Sequence, residues 1–463
     1  MHSSSETQVN RSVLLAIILL SSFFNPFMGS AVNIALPSIS KEFSMNAVSL
    51  SWIAMGFLLF SAVMLVPFGK LADIVGRRKM LLYGNVFFTL STLLCALSTS
   101  GYMLITARCI QGVGSAMILS SGMAIIISAF PPEKRGSIIG LNTTAVYVGL
   151  SAAPLLGGIL TQALGWQSLF FINALAGLLI IAGILWGVRA EWAEAKNDRF
   201  DVTGSLIYIL AMSSLMYGFS QLPGKLALVL TLAGIAGLIY FVWVEMRVSV
   251  PVLNIRLFRE NRIFGFSNLA ALINYAATFG ITFILSLYLQ NVRGMNPRDA
   301  GLIMITQPVM MAIVASISGK LSDRIDSQIL SSLGMAVIVA GLVLLTFLTT
   351  STTHVYLFIS LLILGLGFGL FSSPNTNSVM SSVEKRYLGT ASATLGTMRL
   401  TGQMFSMAIA AMSIHIFIGD APINAANISR FMQSVRVIFI IFTVLCLLGV
   451  FASMARGKKR VIT

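Results

Sequence analysis

Charged side chains are scarce in this chain: Asp, Glu, Lys and Arg make up 10% of its 463 residues, while 57% are apolar. Soluble domains carry about a quarter charged residues, so a water-soluble body of this length is excluded. Acids are scarcest, fifteen in number, and each falls between long apolar runs or at their ends. No carboxylate stands at the middle of such a run. Cysteine is nearly absent too. Cys95, Cys109 and Cys446 lie inside apolar runs without disulfide or metal spacing, and no cofactor, metal ligand or catalytic residue is assigned. A glycine-rich phosphate loop ending in Lys and Ser or Thr is also missing, which excludes an ATP-driven pump on these residues.

Long apolar runs are what the chain has instead. About 20 apolar residues cross a bilayer core as a helix, the form in which a chain satisfies its own backbone groups there. Fourteen such runs fall near 13–36, 49–68, 80–98, 102–123, 137–160, 167–188, 204–222, 226–246, 263–290, 300–319, 329–349, 355–377, 388–414 and 434–455. They predict an all-α polytopic membrane protein. The first run lacks a small-residue cleavage site and reads as a retained helix.

The net charge of +15 is not gathered on a soluble domain, so nucleic acid is not an expected partner. Basic residues sit in alternate loops. With a cytoplasmic N-terminus, 22 of the 30 Lys and Arg fall on the cytoplasmic side, six outside, and two, Arg108 and Arg399, within runs. The positive-inside rule then predicts both termini in the cytoplasm, on the inner (plasma) membrane.

Markers recur at a nearly constant offset. Gly69-Lys70-Leu71-Ala72-Asp73 returns as Gly319-Lys320-Leu321-Ser322-Asp323, Glu133-Lys134-Arg135 as Glu384-Lys385-Arg386, and Gly112-Val113-Gly114 as Gly365-Leu366-Gly367. A duplication is the simplest source. It predicts two six-helix bundles, 13–188 and 263–455, with a segment at 189–262 carrying two inserted helices. The short turn at 222–225 makes that pair an antiparallel hairpin, read as a lipid-facing or dimer-facing spacer.

These residues resemble the major facilitator superfamily, and within it the fourteen-helix drug:proton antiporter family 2, over nearly the whole chain. Gly69, Leu71, Ala72, Asp73, Gly76, Arg77 and Arg78 look like the superfamily loop signature. Arg108, Gln111, Gly112, Gly114 and Ala116 are similar to the family's fourth-helix motif. Gly140, Gly149, Pro154, Gly157 and Gly158 resemble its antiporter motif on the fifth helix, with Ala153 where glycine is usual. Glu245, Arg247, Pro251, Leu257 and Phe258 fit the pattern after the eighth helix, and Tyr288, Gln290, Gly294 and Ala300 the one around the ninth. Two departures stand out: Met28 replaces the first helix's aspartate, and Gln167 a common arginine.

The resemblance implies export of amphipathic, drug-like small molecules by alternating access, with protons and membrane lipid as partners and a monomer as the unit. On the residues alone, three alternatives stay open: a proton-independent facilitator, an exporter of one endogenous metabolite, and a non-transporting membrane sensor. The loop at Gly69, Asp73, Gly76, Arg77 and Arg78, with its copy at Gly319, Asp323 and Arg324, is read as a latch. There Asp73 would face Arg77, Arg78 or a helix N-terminus of the opposite bundle. The small-residue stripe Gly149, Ala153, Gly157 is expected to let the fifth helix approach the C-terminal bundle closely. Arg108 and Arg399, each costing about 2.5–3.5 kcal/mol to insert, should face the interior with partners. Asn33, Gln111, Tyr147, Asn274, Tyr275 and Asn377, with Asn25, Asn142, Gln307 and Asn375, are candidate lining for substrate or proton. With no acid among them and two arginines nearby, neutral or anionic amphipathic substrates are favoured over quaternary amines.

Overall fold

The computed structural model describes residues 10–193, 200–222, 224–248, 251–253, 255, 258, 260–322, 325–383, 388–419, 421, 423–424 and 426–456. Among them, fourteen helices are long and apolar enough to cross a membrane, and no strand occurs. They are α1 (Arg11–Phe43), α2 (Ala47–Val75), α3 (Arg77–Ala96), α4 (Gly101–Ala129), α5 (Pro132–Leu164), α6 (Gln167–Gly187) and α7 (Val202–Ser220). The rest are α8 (Lys225–Glu245), α9 (Arg262–Val292), α10 (Pro297–Gly319), α11 (Ser327–Thr346), α12 (His354–Ser381), α13 (Leu388–Ile418) and α14 (Ile428–Met454). Polar side chains mark where several of them begin. Asn46 accepts from the Ser49 amide at 2.7 Å, Asp201 from Gly204 at 2.8 Å and Asn296 from Asp299 at 2.8 Å, each satisfying a donor that the first helical turn leaves open.

Two helices depart from the sequence expectation. The segment at 69–79 was expected to be a loop, yet α2 stays helical through Gly69 and Asp73 to Val75. Charged residues favour water, not irregular backbone, so the helix simply emerges beyond the apolar layer before it ends. The whole corner is Gly76, whose φ of +120° few other residues adopt. The run at 263–290 is likewise not one regular helix. It breaks at Phe279 and ends in a wide turn, Tyr288–Val292.

Helix pairing is set by small residues that let backbones approach. α4 packs on α2 and α3, α1 on α5 and α6, and α3 on α6. Eight helices further on the same pairings recur: α12 on α10 and α11, α9 on α13 and α14, and α11 on α14. Matching glycines sit at the contacts. A Cβ on Gly114 would lie 2.6 Å from the Phe88 amide nitrogen, and one on Gly367 2.7 Å from the Ile338 nitrogen. The inserted α7 and α8 pack on each other. α7 also lies over the seam between α2 and α13, with Tyr217 5.6 Å from Trp52 and Phe219 5.9 Å from Phe405 between ring centres. The spacer therefore bridges both bundles through α7.

Arg11, Arg77, Arg78, Lys79, Arg189, Arg247, Arg262 and Arg456 all lie at one end of the helices, here called the basic face. Toward the opposite face the bundles are sealed. Ser286 Oγ of α9 donates to the Asn33 carbonyl of α1 at 2.7 Å, and Gln290 Nε2 to the Ile34 carbonyl at 3.0 Å. Beside them α5 meets α10, where the Pro297 carbonyl abuts Gly158 and the Pro154 carbonyl abuts Gly301. α4 and α12 make no extensive interface among the described residues, whereas α2 packs along α13 between the bundles. A groove of about 490 Å³ lies on α1 and α5 toward the basic face, lined by Ala16, Leu20, Phe23, Leu141 and Val148 among others. A Gly158→Leu variant is expected to accumulate normally but fail to close this seal. Labelling of single cysteines near residues 33 and 290 from the opposite face should rise several-fold.

Candidate functional site

The conspicuous polar cluster lies where the two bundles face each other at mid-depth. Tyr147 of α5 hydrogen-bonds Ser372 of α12 across the gap. On the C-terminal side, Arg399 Nη2 of α13 donates to Thr376 Oγ1 at 2.6 Å, and its guanidinium carbon stands 5.7 Å from the ring centre of Tyr275 on α9. Tyr275 in turn meets Phe368 edge-on at 5.4 Å. The sequence-selected Tyr147, Tyr275 and Arg399 are thus neighbours.

Several polar atoms here are buried without a partner. They are both amide atoms of Asn274, Oδ1 of Asn375, Oγ1 of Thr397 and Nε of Arg399. Buried polar groups are nearly always hydrogen-bonded, since an unmet one costs about 1–3 kcal/mol. All four residues come from α9, α12 and α13. The contacts join Arg399, Thr376, Tyr275 and Phe368, with Tyr147 and Ser372 across the gap, while Asn274 and Asn375 adjoin Tyr275 and Thr376 in sequence and Thr397 lies about 200° around α13 from Arg399. Among the described residues no acid contacts Arg399. Asn375 was among the lining residues chosen from sequence, and Thr397 was not. The flanking Asn and Thr around Pro374 and Arg399 were the available signal.

Other candidates lie elsewhere. Arg108 is inside the N-terminal bundle: Nε donates to the Ile53 carbonyl of α2 at 3.0 Å, Nη1 to Gln111, and the guanidinium covers the Phe57 ring at 4.3 Å. Gln111 Nε2 passes the chain on to Thr92 of α3 at 2.6 Å. Arg108 and Gln111 thus strut α4 against α2 and α3. Asn33 sits at the seal, its Oδ1 buried and unpartnered. Asn377 Nδ2 donates to Ser322 Oγ at 3.1 Å near the basic face. The α5 stripe also differs from expectation. Gly149 faces the Phe23 carbonyl and Gly157 faces Ala31, both on α1 of the same bundle, while Pro154 and Gly158 make the approach to the C-terminal bundle. The helical turn decides this: residue 158 lies about 100° from residue 157.

At the basic face, Asp73 pairs with Arg77 of its own loop, Oδ1 being 2.7 Å from Nη2 and 2.8 Å from Nε. Arg77 also reaches Ser128 of α4, and its amide donates to the Trp192 carbonyl at 2.8 Å. Glu191 caps α3, accepting from the Arg78 amide at 2.8 Å and the Lys79 amide at 3.3 Å. Arg78 Nε donates to the Val188 carbonyl. The loop therefore grips the start of the 189–262 segment, and among the described residues Asp73 makes no pair with the opposite bundle. Gly140 lies on the basic-face part of α5. In the second copy Gly319 faces Ser373, while Asp323 and Arg324 lie outside the described residues. Glu191 was not singled out from sequence; an acid near the start of α3 in space, far from it in sequence, gives no local signal.

Residues 18–407 match the family model for the Major Facilitator Superfamily. Among similar proteins are the riboflavin transporter RibZ of Clostridioides difficile (strain 630), 29% identical and aligned over 84% of each chain, and the multidrug resistance protein Stp of Mycobacterium tuberculosis, 31% identical over 87% of this chain and 76% of the relative. Among solved structures, a bacterial homologue of the human lysosomal transporter Spinster, inward-facing and unoccupied, superposes with a TM-score of 0.70 at 17% identity, covering 96% of this chain and 97% of that one.

Asp73→Asn keeps the shape of the loop and removes its ion pair. Transport by this variant, measured at equal abundance, is expected to slow several-fold, and unchanged kinetics would reduce the loop to a topology signal.

Proposed function

The chain belongs to the major facilitator superfamily, and from that premise we propose that it exports amphipathic small molecules, neutral or acidic and rich in hydrogen-bond acceptors, by alternating access in exchange for protons. The carrying observation is the set of unpartnered buried polar atoms on α9, α12 and α13, the helices that hold Tyr275, Thr376 and Arg399. Asn274, Asn375, Thr397 and Arg399 Nε wait for a ligand's polar groups, and Tyr275 and Phe368 offer flat apolar surface beside them. A cation entering this cluster would meet Arg399 with no carboxylate to offset the repulsion.

On this reading the basic face is cytoplasmic, following the positive-inside rule. The groove on α1 and α5 then loads cargo from the cytoplasm or the inner leaflet, and the seal of α1 with α9 and of α5 with α10 closes the outside. Opening the seal while the cytoplasmic side closes would release cargo outward. Relatives that include a riboflavin transporter and multidrug resistance proteins fit a site that takes heteroaromatic or drug-like molecules. A second reading, a facilitator without proton coupling, is favoured by one observation: none of the fifteen acids lies at the centre of a membrane run.

Reconstitution into liposomes with an imposed pH gradient and a panel of neutral, acidic and quaternary-ammonium dyes tests both. Wild-type protein should move neutral and acidic dyes faster when protons can flow inward, and Arg399→Ala should cut that flux about tenfold to a hundredfold, the loss of a charge-assisted hydrogen bond of about 1.5–3 kcal/mol. Flux indifferent to the gradient supports the facilitator. Preference for quaternary amines removes the substrate class.

A further inference from the structure

The foot of the inserted hairpin holds a pair of carboxyl groups that the transport reading does not use. Asp201 caps α7 with one oxygen, Oδ1 accepting from the Gly204 amide at 2.8 Å. Glu245, the last residue of α8 and only 3% exposed, caps a returning chain with one of its oxygens, Oε2 accepting from the Leu253 amide at 2.9 Å. Each residue keeps a second oxygen. Asp201 Oδ2 and Glu245 Oε1 are both buried, and neither has a donor among the described residues. Both converge on Gly204: a Cβ there would touch Glu245 Oε1 and stand 2.5 Å from Asp201 Oδ2. A glycine at 204 is what lets the two oxygens approach.

Two buried carboxylate oxygens facing each other repel unless a proton lies between them, in which case they form a strong O–H···O⁻ hydrogen bond. Among the described residues no cation pairs with either oxygen. The groups acting on Glu245 are the Leu253 and Val252 amides and Asp201. Arg247, two residues on, stacks on the Trp243 ring at 3.7 Å instead. On the neighbouring helices, Asp73 of α2 is paired with Arg77, Tyr208 of α7 donates to the Ala62 carbonyl of α2, and Arg399 of α13 is engaged with Thr376.

We propose that Asp201 and Glu245 share one proton and form a proton-binding clasp at the basic-face end of the α7–α8 hairpin. The bound proton holds the inner ends of α7 and α8 together, and with them the chain at 252–253 that leads on toward α9. Removing it leaves two like charges in one buried space and loosens that chain. Because α7 lies over the seam between α2 and α13, the clasp makes the bridge between the bundles responsive to pH on this face. The inference rests on the hairpin geometry and not on the substrate class proposed above.

Infrared difference titration of the purified full chain, with hydrogen exchange of the amides at 252–253, tests the clasp. Wild-type protein should lose a protonated-carboxyl band as pH rises through the neutral range, with exchange at 252–253 rising several-fold relative to Glu245→Gln at the same pH. Glu245→Gln keeps the shape and supplies its own hydrogen bond to Asp201, so the band and the pH-dependent exchange should both vanish. Asp201→Asn should do the same and serves as the second variant should the first not fold. A wild-type titration retained in both variants, or none in the wild type, would overturn the proposal.

Discussion

Two backbone carbonyls pressed onto two glycines, Pro297 on Gly158 and Pro154 on Gly301, set the geometry from which the rest follows. Helices meet this closely only where a side chain is missing on one partner. The contact draws α5 against α10 at one face, and the hydrogen bonds from Ser286 and Gln290 to α1 then fall into reach. With one end of the bundles drawn together, the space between them opens toward the other. The groove, by contrast, is lined by α1 and α5 of one bundle alone.

Charge is used sparingly and with clear division. Inside the bundles, Arg108 spends its guanidinium on a carbonyl, an amide and an aromatic face, which makes it a strut. Arg399 is less fully engaged, with Nε unpartnered beside Asn274, Asn375 and Thr397. Two intramembrane arginines of the same kind thus differ by their neighbours. At the basic face, the Asp73–Arg77 pair and the Glu191 cap organise the exit of α2, the start of α3 and the beginning of the inserted segment into one unit.

Much of the architecture was legible because a bilayer leaves few options: apolar length gives the helices, and recurrent markers near an offset of 250 anticipate the repeated pairings. Tyr147, Tyr275 and Arg399, each half-buried, were picked out by residue type, and the structure sets them near one another. What escaped were matters of helical phase and of distance in sequence. Gly157 and Gly158 face different bundles although they are adjacent, and no composition argument separates them. Glu191 reaches α3 from more than a hundred positions away. The motif at 69–79 was recognisable as a sequence, but its shape was not, because charged residues can extend a helix into water as readily as they can end it.

That the seal is made largely by main-chain atoms has a consequence for how such a protein can change over evolutionary time. Carbonyl oxygens are the same whatever side chains surround them, so substitutions on the lining helices can accumulate without altering the closure, provided the few glycines and the donors Ser286 and Gln290 stay. Cargo preference and gating are then free to drift independently. A lineage can acquire a new substrate by altering the surroundings of Arg399 while inheriting its gate unchanged.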